Sequence, residues 1–138
     1  MSERSMRTTA TVAHLPALVA FLQQAWQDAA LPEAAAFPFE LALDEVFMNV
    51  VMHGTTPDGP PREVSLSLRH EGAKVTMIME DDGPAFDPLS LATPDIDAPI
   101  EEREIGGLGV FLIRELMDDV SYAHTGTHNQ LTMSKVVS

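Results

Sequence analysis

The stretch from Phe37 to Gly54, FPFELALDEVFMNVVMHG, constrains this chain more than any other. Pro38 suits a first helical turn, where its missing N–H has no intrahelical partner to lose, and Gly54 can take the left-handed conformation that ends a helix. Between them Leu41, Leu43, Val46, Phe47, Met48, Val50, Val51 and Met52 leave little polar surface. The spacing predicts a buried helix. Glu45, Asn49 and His53 recur at every fourth position, so they form one narrow polar stripe along it. A buried polar stripe needs partners, which either a neighbouring backbone or a ligand can supply.

The rest of the chain places that helix in an α/β pattern. Thr8 to Ala13, rich in Thr and Val, predicts a short first strand after a polar, mobile start. Leu15, Leu18, Val19, Leu22, Trp26 and Ala29 share one face of a first helix from Leu15 to about Ala30. After the central helix, the run Thr55 to Pro61 is turn chemistry. Val64, Leu66 and Leu68 then alternate with polar residues, as do Val75, Met77 and Met79, predicting two strands joined by a hairpin turn at Glu71-Gly72. The methionines, Met48, Met52 and Met117 included, read as core filler. Leu89 to Glu104 is Pro-rich and acidic without a sustained period, and predicts a long loop of the kind that forms lids. A third helix follows Gly107-Leu108-Gly109, and two last strands, about Val120 to His124 and Gln130 to Val136, turn around Gly126. The pattern predicts a two-layer α/β sandwich: a mixed, mostly antiparallel sheet with three helices on one face. With 138 residues, the whole of 1–138 reads as a single domain.

Charge narrows the partners. The net charge of -13, from 21 acidic and 8 basic residues, excludes roles that neutralise a nucleic-acid backbone or an anionic membrane. A small anion such as a nucleotide stays open, because a metal ion and backbone N–H groups hold it without a basic patch. The chain has no cysteine, so it has neither disulfide nor thiolate metal site. His14, His53, His70, His124 and His128 lack the spacing of zinc ligands. No stretch approaches the roughly 18 apolar residues of a membrane span, and no basic segment leads into a long apolar run near the N-terminus. A cytoplasmic location is the expectation.

Three motifs stand in order: Glu45 with Asn49 on the central helix, Asp81-x-Gly83 at a strand end, and Gly107-x-Gly109 opening a helix after a long loop. Alone each is ordinary, since Gly-x-Gly opens many helices and Asp-Asp-Gly-Pro makes many turns. Their order and spacing together are specific. The chain here resembles the GHKL superfamily of ATP-binding domains, and within it the small anti-sigma-factor serine kinases of bacterial partner switching. The N-box of those kinases is similar to ALDEVFMNVVMHG at Ala42 to Gly54. Their first glycine box resembles EDDGPAFDP at Glu80 to Pro88, and their second resembles GGLGVFLI at Gly106 to Ile113.

That resemblance implies a histidine-kinase-like ATPase fold, with a flexible ATP lid at about 84–106, and implies roles for residues. Asn49 is expected to give an amide oxygen to Mg2+, a hard cation that keeps most of its waters. Asp81 is expected to accept a hydrogen bond from the adenine amino group, with Gly83 admitting the base closely. Gly106, Gly107, Leu108, Gly109 and Val110 form the segment whose backbone N–H groups meet the phosphates. His53 is a candidate for the phosphate end of the pocket, or a structural histidine. Arg103, the lid's one basic residue, is the candidate phosphate contact, although in relatives an arginine often stands nearer the Gly-x-Gly pair. Relatives also often carry a Thr on the last strand beside the adenine aspartate, for which Asn129 is the nearest match. Glu45, a helical turn before Asn49, is the expected general base, while Asp44 points about 100° away.

The function implied is a Mg-ATP-dependent serine kinase that phosphorylates an anti-sigma-factor antagonist, can hold a sigma factor, and self-associates as a homodimer. The alternative is a switch module that binds protein partners, with nucleotide as a structural ligand or none. Intact Glu45 favours the enzyme; the acidic lid favours the module. The catalytic half of a histidine kinase fits less well, because only a short strand and one helix precede the N-box.

Overall fold

The computed structural model describes residues 2–53, 59, 62–90 and 107–137. Gly54, nearly all of the expected loop 55–61 and the 91–106 part of the expected lid lie outside those residues. Five strands, β1 (Ser2–Thr9), β2 (Glu63–Glu71), β3 (Lys74–Asp81), β4 (Asp119–His124) and β5 (Asn129–Val136), form one sheet in the order β1-β2-β3-β5-β4. Three helices, α1 (Leu15–Asp28), α2 (Phe37–His53) and α3 (Gly107–Leu116), make the second layer of the expected sandwich. All four ladders are antiparallel, so the parallel component of a mixed sheet is not among them. The β4–β5 hairpin inserts its second strand beside β3, which leaves β4 at the edge and every neighbour antiparallel.

Strand alternation builds the core. Val64, Leu66 and Leu68 of β2, Val75, Met77 and Met79 of β3, and Leu131 and Met133 of β5 all point to the helical side and are buried. Ser65, Ser67, Thr76 and Thr132 on the opposite face stay partly exposed. α2 lies between α1 and α3 and contacts both. Its Phe39 and Phe47 are fully buried, each contributing about 2–3 kcal/mol of apolar burial. Trp26 of α1 meets Phe39 at a ring separation of 5.2 Å and donates its indole N–H to the Pro32 carbonyl at 2.9 Å. Among the described residues, no helix is long and apolar enough to cross a membrane.

The structure corrects the expected start of the chain. The polar segment before Thr8 is strand, and the strand ends at Thr9 rather than Ala13, where Val12–His14 turns into α1. Pairing with the edge of β2 decides this: Met6 sits opposite Leu66 and Thr8 opposite Val64, while Glu3 meets Arg69 at 3.1 Å. Arg4 also pairs with Asp28 at the end of α1. Cross-strand partners of this kind outweigh weak local β propensity.

Smaller differences follow from geometry. Glu71 and Lys74 are register partners, so the hairpin loop is Gly72-Ala73, one residue later than expected. Gly72 has φ +58, the conformation a type II′ turn needs at its first central residue. α2 is not buried all round: Asp44, Met52 and His53 are exposed. Met52 is 58% exposed, because it lies on the side of the helix turned away from the sheet. α1 ends with Ala29 and Ala30, and Ala30 takes φ 55. The Leu31 N–H reaches the Trp26 carbonyl at 3.2 Å and the Ala30 N–H reaches that of Gln27 at 2.9 Å, the paired bonds of a Schellman ending in which glycine is the usual residue.

Candidate functional site

Asp81 is the last inward-facing residue of β3, after Val75, Met77 and Met79. That parity sends its carboxylate beneath α2, where it is 8% exposed. Its Oδ1 accepts the Gly83 N–H at 2.9 Å, which turns the chain sharply out of the strand. The same oxygen accepts the Asn129 Nδ2 donor at 3.0 Å, Asn129 being the register partner of Asp81 on β5. Oδ2 receives no hydrogen bond from the described residues and borders the cleft.

Asn129 also holds the segment that follows. Its Nδ2 lies 3.3 Å from the Gly83 carbonyl and 2.8 Å from that of Pro84. Its Oδ1 accepts the Phe86 N–H at 3.0 Å and the Tyr122 hydroxyl. Burial raises the Tyr122 phenol above its ordinary range; Asp87 and Asp81 add to this, and a backbone hydrogen bond with Phe86 opposes it. Further along, Asp87 Oδ1 accepts the Leu89 N–H at 2.8 Å, and Arg114 of α3 donates to the Leu89 carbonyl at 3.0 Å.

These elements line one small, partly open cleft. Val46, Val50, Met79 and Leu131 make its apolar lining, and Asn49, Asp81 and Asn129 its polar one, with Phe86 and Tyr122 beside them. Asn49 is 6% exposed, and its Nδ2 finds no partner among the described residues. A buried donor without an acceptor costs about 1–3 kcal/mol. An acceptor arriving with a ligand removes that penalty.

The candidate residues thus divide. Asn49 and Asp81 meet in one cleft, and the Gly83 backbone is bound to Asp81 itself. Glu45 is half-buried one turn before Asn49; burial raises its carboxyl above the ordinary glutamate value, and neighbouring Asp44 adds to it. His53 is exposed, and its ring stacks on Phe86 at 4.6 Å and 19°. Gly107, Leu108, Gly109 and Val110 open α3, which packs on α2. The Val110 side chain is buried at 5% exposure. Arg103 and Gly106 lie outside the described residues.

Four participants were missed or only half seen. Asn129 appeared as the match for a threonine, and Tyr122, Phe86 and Arg114 carried no signal of their own. The signal for Asn129 is its place opposite Asp81. No short turn joins β3 to β5, so their register is not countable from the sequence.

The family described as the histidine kinase-like ATPase domain matches residues 8–135. The serine/threonine-protein kinase BtrW of Bordetella bronchiseptica is 33% identical over 98 residues, which cover 71% of this chain and 68% of BtrW. The serine-protein kinase RsbW of Bacillus cereus is 30% identical over 89 residues, covering 62% of this chain and 54% of RsbW. The chain thus spans about half the length of the Bacillus relatives that it matches. A crystal structure of the RsbU and RsbW domains of Rv1364c from Mycobacterium tuberculosis superimposes with a TM-score of 0.68. That likeness, at 14% identity over 98% of this chain and 32% of the other, speaks for the fold alone. With the family matched across nearly all its length, the chain belongs to the histidine kinase-like ATPase domains.

Proposed function

We propose that this chain is a Mg-ATP-dependent protein serine kinase of bacterial partner switching. Its acceptor is a serine hydroxyl on an anti-sigma-factor antagonist, and its other partner is a sigma factor. One observation carries the reading: Asn49 and Asp81 line the same cleft, and neither the buried Asn49 Nδ2 nor the Asp81 Oδ2 has a hydrogen-bond partner among the described residues. The names of BtrW and RsbW, both protein kinases, support the activity.

In this reading Asp81 Oδ2 accepts from the amino group of adenine, while Val46, Val50, Met79 and Leu131 shield the base from water. Asn49 fits the polar end of the ligand either way round, because its nitrogen suits a phosphate oxygen and its oxygen a hard cation. Among the described residues, His, Asp and Glu assemble no cluster of three or more for a metal. Mg2+ needs none, since phosphates and water complete its shell, and when bound it supplies charge neutralisation between the phosphates. The backbone N–H groups of Gly107 to Val110 donate to the phosphates at the start of α3, with Gly106 and Arg103 assigned to the same end. Glu45 accepts the serine proton as the new P–O bond forms and the bond to ADP breaks. Burial raises its proton affinity above that of an ordinary glutamate, the direction that makes a carboxylate a stronger base.

Calorimetric titration with ATP, with and without Mg2+, tests the reading. Wild type is expected to bind, Asp81→Asn to lose the affinity, and Asn49→Ala to lose the Mg2+ dependence. Glu45→Gln keeps binding and loses phosphoserine formation on the antagonist. A folded wild type that ignores millimolar ATP ends the kinase reading.

A further inference from the structure

Asn129 does more at the cleft than fill a strand position. Its amide cannot be turned over: the flipped group would set Nδ2 against the Phe86 N–H and its oxygen against Asp81, Gly83 and Pro84 oxygens. The donor therefore faces Asp81. A carboxylate oxygen has room for about two N–H donors, and Oδ1 of Asp81 already accepts from Gly83 and Asn129. Only Oδ2 is left for a ligand.

That asymmetry discriminates between purines. Adenine offers a single exocyclic amino donor beside an acceptor nitrogen, which one free oxygen satisfies. Guanine sets a carbonyl in the amino position, and its two adjacent donors, N1–H and the 2-amino group, need both oxygens of a carboxylate. Resting on the nucleotide-site reading above, we propose that Asn129 is a specificity-determining positioning residue. By occupying Asp81 Oδ1, it blocks the paired-donor edge of guanine and commits the pocket to adenine nucleotides. Tyr122 and the Phe86 N–H hold the amide in that orientation.

Equilibrium binding of ATP, GTP and inosine triphosphate tests this in wild type, Asn129→Ala and Tyr122→Phe, each checked for a cooperative melt. Inosine carries the N1–H and carbonyl of guanine without the 2-amino group. Wild type is expected to prefer ATP by at least about a hundredfold and to bind GTP and inosine triphosphate equally weakly. Asn129→Ala frees Oδ1, so the ATP-to-GTP ratio falls by about tenfold or more, and GTP gains over inosine triphosphate. Tyr122→Phe removes one of the two donors that fix the amide, so its ATP-to-GTP ratio falls in the same direction as that of Asn129→Ala and by less. An Asn129→Ala protein that loses affinity for all three nucleotides in proportion overturns the proposal while sparing the ATP site. Should that variant not fold, wild type alone decides: GTP bound tenfold more tightly than inosine triphosphate means that Oδ1 was available, which refutes the assignment. A folded wild type that binds none of the three removes the underlying nucleotide site as well.

Discussion

Asp81 and Asn129 face each other across β3 and β5 as register partners, and the Asn129 amide donates to the Asp81 carboxylate at 3.0 Å. Both side chains are buried, so the bond forms where water competes little and each group depends on the other. It also ties the end of one strand to the segment that leaves it, since the same amide takes the Gly83 and Pro84 carbonyls.

Replacing Asn129 by aspartate keeps the shape and reverses the chemistry. The donor facing Asp81 becomes an acceptor, set among two carbonyls and a second carboxylate. Asn129→Asp is expected to lower stability by about 2–4 kcal/mol at neutral pH, read as a lower urea midpoint at unchanged slope. A midpoint within error of wild type would show that the amide is not oriented as described.

Ala30 offers the opposite change. It holds φ 55 at the end of α1, a conformation that disfavours a Cβ by about 1–2 kcal/mol. Glycine relieves that strain but gains freedom in the unfolded chain. Ala30→Gly is expected to raise stability by about 0.5–1 kcal/mol. A lower melting temperature for this variant would contradict the left-handed ending.

The sequence was most legible where local signals agreed. α2 could be read from its apolar run and Pro38, and the inward parity of Asp81 follows by continuing Val75, Met77 and Met79 to the end of β3. Legibility failed where distant pairing decides. β1 extends through polar residues because β2 lies beside it, and the reach of Asn129 depends on a register that no turn fixes. The exposure of Met52 depends on which side of α2 meets the sheet, and an almost uniformly apolar segment does not declare that.

Glu45 couples function to pH. Burial, with Asp44 adding to it, lifts its carboxyl above the ordinary value of 4.5. The folded state therefore binds the proton more tightly than the unfolded one, and stability falls as pH rises from about the unfolded value through the folded one. Below that window the penalty is absent; above it the penalty is complete. Glu45→Gln is thus expected to be at least as stable as wild type at pH 7, with its relative advantage gone at pH 4. Phosphoryl transfer should be lost at both. A variant clearly less stable than wild type at pH 7 but equal at pH 4 reverses the sign and rules out the poised-base description.

Asn49 gives the sharpest separation of stability from function. Its Nδ2 is buried and has no partner among the described residues, so the folded protein without ligand bears the desolvation of a donor it does not use. Leucine has the same branched heavy-atom skeleton and no polar atom. Asn49→Leu should therefore stabilise the ligand-free protein by about 1–3 kcal/mol, seen as a raised urea midpoint. Adding saturating Mg-ATP should then raise the midpoint of wild type, by linkage to binding, and leave that of Asn49→Leu where it was. A residue kept for structure would behave the other way, with its loss lowering the ligand-free midpoint. Stabilisation together with loss of the ATP-induced shift marks a side chain retained for the ligand at the expense of the fold.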